Sequence, residues 1–203
     1  AIAILALERY PEMFEAAILS APMCGMQTGK YPRIVARLLA GSCCLLGKRK
    51  DFASLAGQRG FSDIPQFEGS SCTSKERYDY MFEKRLLDEH YRTYGGSYGW
   101  VLAGLRASRK LMRKENLAKI KTPVLLFAAG YDHMVDNDVI ERFAELTDRT
   151  ELIFMPDSRH EIFNADERTR TKYYDEIFRF IKEEEVKDYE NENEQTRKIL
   201  GTV

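Results

Sequence analysis

Two side chains in this sequence have the types and the spacing to handle a proton together. Asp132 comes just after the apolar run Val124–Ala129, and His160 comes just after a second apolar run, Leu152–Met155. A carboxylate hydrogen-bonded to an imidazole fixes its tautomer and stabilises its cation, so the ring can serve as general base and then as general acid. Taken alone, Asp132 is also an ordinary turn residue. Asp136 and Asp138 stand close enough in the chain to rival it, and His90 and His133 read as surface residues. The interval between Asp132 and His160 holds one helix and one strand, so both groups would reach the same rim of a sheet.

Such a base needs a nucleophile to activate. The segment Gly95-Gly96-Ser97-Tyr98-Gly99 matches Gly-x-Ser-x-Gly letter for letter, and Ser97 precedes the acid and the histidine. That motif has meaning only where a buried strand turns sharply into a helix. What precedes it, KRLLDEHYRTY, is charged and helix-like. Ser97 therefore reads more simply as the N-cap of the helix that follows. Ser20 follows a strand but is followed by Ala21-Pro22. Cys24 lies past the same strand, where it could line a pocket, but it lacks the elbow pattern.

The elements that must position these groups alternate at both ends of the chain. Ala1–Tyr10 reads as a buried helix stopped by Pro11, and Ala16–Leu19 as a short strand. Val124–Ala129 is nearly all apolar, as in a strand buried on both faces of a parallel sheet. A helix is expected near Asp138–Leu146, a strand over Leu152–Met155, and a helix from about Asp166 to Val186 with Tyr173, Tyr174, Ile177, Phe178 and Ile181 on one face. Acid and histidine then sit at the carboxyl ends of consecutive strands, where open α/β sheets bind ligands. From residue 23 to residue 121 the rhythm breaks. Helices are expected over Tyr31–Leu46, interrupted at Gly41, over Ser74–Tyr91, and from Gly95 to Lys114, with loop between. Residues 187–198, KDYENENEQTRK, read as a polar, mobile tail.

Composition narrows the class. The 203 residues suffice for one sizeable core with an inserted subdomain. Net charge is −1, which gives no nucleic-acid signal. The charge is unevenly spread: residues 1–122 hold 20 Lys+Arg against 12 Asp+Glu, and residues 123–203 hold 11 against 20. Cys24, Cys43, Cys44 and Cys72 form no Cys-x-x-Cys pair, which predicts reduced thiols in an intracellular protein and no zinc site. No apolar run approaches a membrane span. The helix that opens at Ala1 has no N-cap residue, so its start is expected upstream.

These stretches resemble the α/β-hydrolase family of lysophospholipases and monoacylglycerol lipases, also classed with serine aminopeptidase-like hydrolases. ALERYPEMFEAAILSAPM is similar to the helix after that family's nucleophile elbow and the next strand. TSKERYDYMF and YGGSYGWVLAGLRAS resemble the cap of the lysophospholipase L2-like branch. TPVLLFAAGYDHMVDN resembles the segment with the family's acid, at Asp132, and MPDSRHEIFNADE the segment with its histidine, at His160.

The resemblance implies an α/β-hydrolase fold, N-terminally truncated, with three parallel strands and an inserted helical cap. Residues 1–22 would be core, 23–121 cap, 122–186 core with acid and histidine, and 187–203 tail. It implies a serine hydrolase cleaving a fatty acyl ester of a lysophospholipid or monoacylglycerol, without cofactor or metal. Asp132 and His160 would be catalytic, with the nucleophile on an elbow before Ala1; the chain alone is expected to be inactive. Met23 and Trp100 would contribute to an apolar acyl pocket. A non-catalytic binding fragment and an amide or peptide hydrolase are the alternatives. The location is expected to be cytoplasmic, with peripheral contact to a membrane, and a sheet edge left open would favour a homodimer.

Overall fold

The computed structural model describes residues 1–53, 61–92 and 95–200, with side chains described as far as Lys187. Three parallel strands form one sheet in the order β1 (Ala17–Ser20), β2 (Val124–Ala129), β3 (Thr150–Met155). Ala17 pairs with Val124, and Val124 with Thr150. β2 is buried at every position, as its unbroken apolar run requires of a central parallel strand. β3 begins at Thr150, two residues before its apolar run, because Thr150 and Glu151 pair with Val124 and Leu125.

Helices cover the sheet. α1 (Ile2–Arg9) buries Ile4 and Leu7 and ends ahead of Pro11, which opens a short 3-10 turn. α6 (Asn137–Glu145) buries Ile140 and Phe143. α7 (Glu167–Leu200) lays Tyr173 on Phe127, with ring centroids 4.5 Å apart, and buries Phe180. Its buried line thus runs through Tyr173, Ile177 and Phe180, while Phe178 is turned outward. Phe180 follows Tyr173 by seven residues, close to two turns, and so takes the inner place expected of Phe178. The helix also runs to Leu200 instead of stopping near Val186. The sequence there is rich in Glu, Lys, Gln and Arg, all good helix formers.

Between β1 and β2 lie α2 (Arg33–Leu45), α3 (Lys75–Leu87), α4 (Tyr98–Leu111) and the single turn α5 (Lys114–Leu117). α2 passes through Gly41 without a break. One glycine costs a helix only about 1 kcal/mol, and the packing of α2 on α4 overrides it. Ala36 and Ala40 of α2 form a second core with Met26, Ala53, Val101, Leu102 and Leu105. Met23 packs against this core and against the main core under the sheet. α3 buries no residue fully. It is held instead by aromatic contacts with the loop before it: Phe82 stacks on Phe61 at 6.0 Å, and Tyr78 meets Phe67 edge-on at 5.5 Å.

Candidate active site

The chain leaves β2 at Gly130, and a side chain there would have no room. A Cβ would stand 2.2 Å from the Pro156 carbonyl oxygen, so only glycine lets the ends of β2 and β3 touch. The contact is hydrogen-bonded. The Gly130 N–H donates to the Met155 carbonyl at 2.9 Å, and the Tyr131 N–H donates to Ser158 at 2.9 Å. Ser158 is fully buried and its hydroxyl donates back to Met155 at 2.9 Å. Two strand ends tied in this way deliver their next side chains to one place.

Those side chains are Asp132 and His160. His160 Nδ1 lies 2.8 Å from Asp132 Oδ2. The Asp132 side chain is fully shielded, while that of His160 is 26% exposed. The other carboxylate oxygen, Oδ1, accepts the N–H groups of Met134 at 2.8 Å and Val135 at 3.0 Å. Burial pushes the Asp132 carboxyl upward, but the imidazole and these two N–H donors outweigh it and hold the group below the ordinary carboxylate range. An anion is thereby fixed behind the ring. With Nδ1 turned to an ionised acceptor, Nδ1 carries the proton and donates it. Nε2 is then the ring's free base.

The rivals are engaged elsewhere. Asp136 caps α6 by accepting the Asp138 N–H at 3.1 Å and pairs with Arg33. Asp138 is exposed in the first turn of α6. His90 pairs with Asp88 at 2.7 Å on an exposed turn, and His133 is exposed. Ser97 accepts the Trp100 N–H at 3.2 Å as the N-cap of α4. Cys24 is fully buried, and burial raises its thiol to about 12, which makes it a poor nucleophile at neutral pH. The four cysteines are free.

Met23 and Trp100 stand apart in character. Met23 lies at the junction of the two cores, its methyl close to Gly104. Trp100 lies across Gly96 and is half exposed.

Two supports of the site carry no signal in the linear sequence. Segment 25–27 is stitched to the loop after β2: Asp136 N–H to Gly25 at 2.9 Å, Gln27 N–H to Met134 at 3.0 Å. Arg159, the residue before the histidine, donates from Nη1 to the carbonyls of Phe67, Ser70 and Cys72 at 3.0, 3.2 and 3.1 Å. The Glu161 N–H donates to Ser71 at 2.9 Å. Residues 67–72 therefore flank His160 on both sides along the chain. An arginine beside the histidine was the only available clue, and nothing in its spacing names three carbonyls so far away in sequence.

The chain has relatives of known kind. A profile of the serine aminopeptidase (S33) family matches residues 1–167. Over 146 residues the chain is 27% identical to lysophospholipase L2 of Escherichia coli K12, an alignment that takes in 72% of this chain and 42% of that protein. The chain thus spans less than half the length of that curated relative. Its backbone is similar to a soluble variant of monoglyceride lipase from Saccharomyces cerevisiae, with TM-score 0.63 and 15% identity over 90% of this chain and 58% of the other. It is similar too to monoacylglycerol lipase of Paleococcus ferrophilus, with TM-score 0.59 and 17% identity over 90% and 64%. At these identities the structural likeness establishes the fold, which is that of the α/β-hydrolases, here with three of its parallel strands. By the match over residues 1–167, this chain belongs to the serine aminopeptidase (S33) family of α/β-hydrolases.

Proposed function

We propose that this chain supplies the acid, the base and the cap of a serine hydrolase that cleaves a fatty acyl ester, with lysophospholipid or monoacylglycerol as substrate class. The observation that carries the reading is the 2.8 Å contact between His160 Nδ1 and the shielded Asp132 carboxylate. The family match and the names of the relatives support the same class. Residues 23–121 form the cap in this reading. Met23, where the two cores meet, and Trp100 would contribute to the acyl pocket.

A serine from outside this sequence would lose its proton to His160 Nε2 as its oxygen bonds to the ester carbonyl carbon. Asp132 would stabilise the imidazolium that forms. The tetrahedral oxyanion would collapse with cleavage of the carbon–oxygen bond, and Nε2 would hand its proton to the departing alcohol. Water would then repeat the sequence on the acyl-enzyme, freeing the fatty acid and the serine. Ser97 has no part in this, because its hydroxyl caps α4.

The test compares p-nitrophenyl ester hydrolysis by the 203-residue chain and by the same chain extended with its native upstream residues. The expected result is background activity in the first and esterase activity in the second, lost in His160→Ala. Full activity in the short chain, abolished by Ser97→Ala, would overturn the reading. The family's aminopeptidase description favours a second reading, amide hydrolysis at the same dyad. Aminoacyl p-nitroanilides assayed beside acyl esters and lysophospholipid separate the two.

A further inference from the structure

The packing of α2 on α4 leaves one surface unaccounted for. Ala36 and Ala40 face α4, so the opposite side of α2 is turned outward. It carries Ile34, Leu38 and Leu45, which with Gly41 are spaced four, three and four residues apart. They are 65%, 63% and 90% exposed. Leu46, at the C-cap, is exposed beside it. Single exposed leucines are unremarkable, but an unbroken stripe along one helix face marks an interaction surface.

Leu38, Gly41 and Leu45 of the stripe also form one wall of a groove of about 520 Å³. Its α2 wall contributes Arg37, and its far wall contributes Arg106, Arg109, Lys110 and Arg113. Arg106, Arg109 and Lys110 fall on one face of α4 with Arg113 just past its end, and like charges at such helix spacings destabilise one another. Among the described residues, Arg37, Arg106, Arg109 and Arg113 make no ion pair. The Glu8 carboxylate is in electrostatic range of Lys110. Lys48, Arg49 and Lys50 are exposed just past Leu46, with Asp51 the only acid beside them in the chain. Arg109 and Lys110 lie in the last turn of α4, where cations complement the helix dipole. Arg106 lies before that turn and Arg113 beyond the helix, so the dipole does not account for the row.

We propose that the outward face of α2 and the adjoining cationic groove dock this protein onto an anionic lipid bilayer. Ile34, Leu38, Leu45 and Leu46 enter the boundary between headgroups and acyl chains, and the arginines meet the lipid phosphates. An apolar face bordered by cations is the pattern of a helix lying in the interfacial plane, and each basic residue near such a surface adds to the attraction. A soluble anion would use the cations and leave the leucines exposed. The inference does not rest on the hydrolase reading.

The experiment is co-sedimentation of the purified protein with vesicles, read without turnover. One set is phosphatidylcholine alone, and the other contains about one third phosphatidylglycerol. Binding is expected to the anionic vesicles only, and to fall at least about tenfold as salt rises from about 0.1 M to about 1 M. Arg106→Gln/Arg109→Gln/Arg113→Gln should weaken it at least about tenfold. Leu38→Ser/Leu45→Ser should weaken it as well. All these side chains are exposed, and far-ultraviolet circular dichroism checks that the fold is kept. As an independent reading, a dye on Leu38→Cys should shift to the blue on anionic vesicles. Equal binding to both vesicle types, or no binding to either, overturns the proposal. So does unchanged binding of the triple variant. Displacement by inorganic phosphate would make the groove a soluble-anion site instead, and self-association abolished by Leu38→Ser without vesicle binding would make the stripe a contact between copies.

Discussion

The Asp132 side chain has no access to water, yet its carboxyl is held below the ordinary value. Three donors achieve this, two of them backbone N–H groups fixed by the turn after β2. A group whose folded pKa is depressed contributes stability that is present above its unfolded pKa, about 3.9. That contribution is lost as the pH falls through the folded value. Asp132→Asn should therefore be less stable than the parent near neutral pH, by about 1–3 kcal/mol. The difference should shrink as the pH drops below about 4, as read by urea unfolding of both proteins across that range. A gap that stays constant with pH would show that the carboxylate is not held as an anion. In the upstream-extended protein, His160→Ala should cost at least about a thousandfold in kcat, and Asp132→Asn as much or less. Ser97→Ala should leave kcat unchanged and lower stability by about 1 kcal/mol, the worth of an N-cap. The dyad was legible in the sequence because each partner ends an apolar run, and strand ends are where a parallel sheet exposes polar groups. Which of Asp132, Asp136 and Asp138 would face the imidazole was not legible from spacing alone. It depends on the two N–H donors at Met134 and Val135 and on Arg33, which engages Asp136 from another helix.

Among the elements, the loop that carries His160 is held from a distance. Arg159 places one nitrogen among three carbonyls of segment 67–72 and lies over the Phe67 ring. A lysine has three donors for these carbonyls but no face to stack on the ring, so Arg159→Lys should cost less than Arg159→Ala. The latter should cost about 1–3 kcal/mol and speed amide hydrogen exchange at residues 67–74 while β2 stays protected. Unchanged exchange in that segment would show that the carbonyls hold themselves. Gly130 is a second joint. Gly130→Ala forces a Cβ against the Pro156 carbonyl, and overpacking of this kind costs about 1–3 kcal/mol. The fall in melting temperature should be accompanied by a longer His160–Asp132 separation in a crystal structure. Strands and helices were predictable where an apolar run is continuous, as in β2, or its helical period is strong, as in α6. The run past Val186 was not, because a polar segment rich in helix formers reads equally as tail or as helix. The aromatic cluster under α3 was hidden too: Phe67 and Tyr78 lie in a loop and a helix that nothing local obliges to meet.

At the scale of the whole molecule, the open question is the outer edge of β1. The N–H groups of Ala17 and Ala21 donate toward β2, to Pro123 and Phe127, each at 2.9 Å. Strand alternation then turns the N–H groups of Ile18 and Ser20 the other way. Among the described residues no strand pairs with that edge. Ile18 is also 37% exposed on the sheet face, which is unusual for an isoleucine in an α/β core. An unpaired edge with an apolar face recruits another strand. The 203-residue chain is therefore expected to sediment as a dimer or larger species at micromolar concentration. Ile18→Pro is a selective test: proline removes an outward donor, takes nothing from the pairing with β2, and is tolerated on edge strands. It should shift the chain toward monomer with little change in helix content. The upstream-extended protein should be monomeric without the substitution if its added residues occupy the same edge. Two results would refute the edge as the point of association: a monodisperse monomer for the 203-residue chain, or a dimer that Ile18→Pro leaves intact. The second would move attention to the leucine stripe of α2, whose Leu38→Ser/Leu45→Ser variant separates the two surfaces in the same sedimentation experiment.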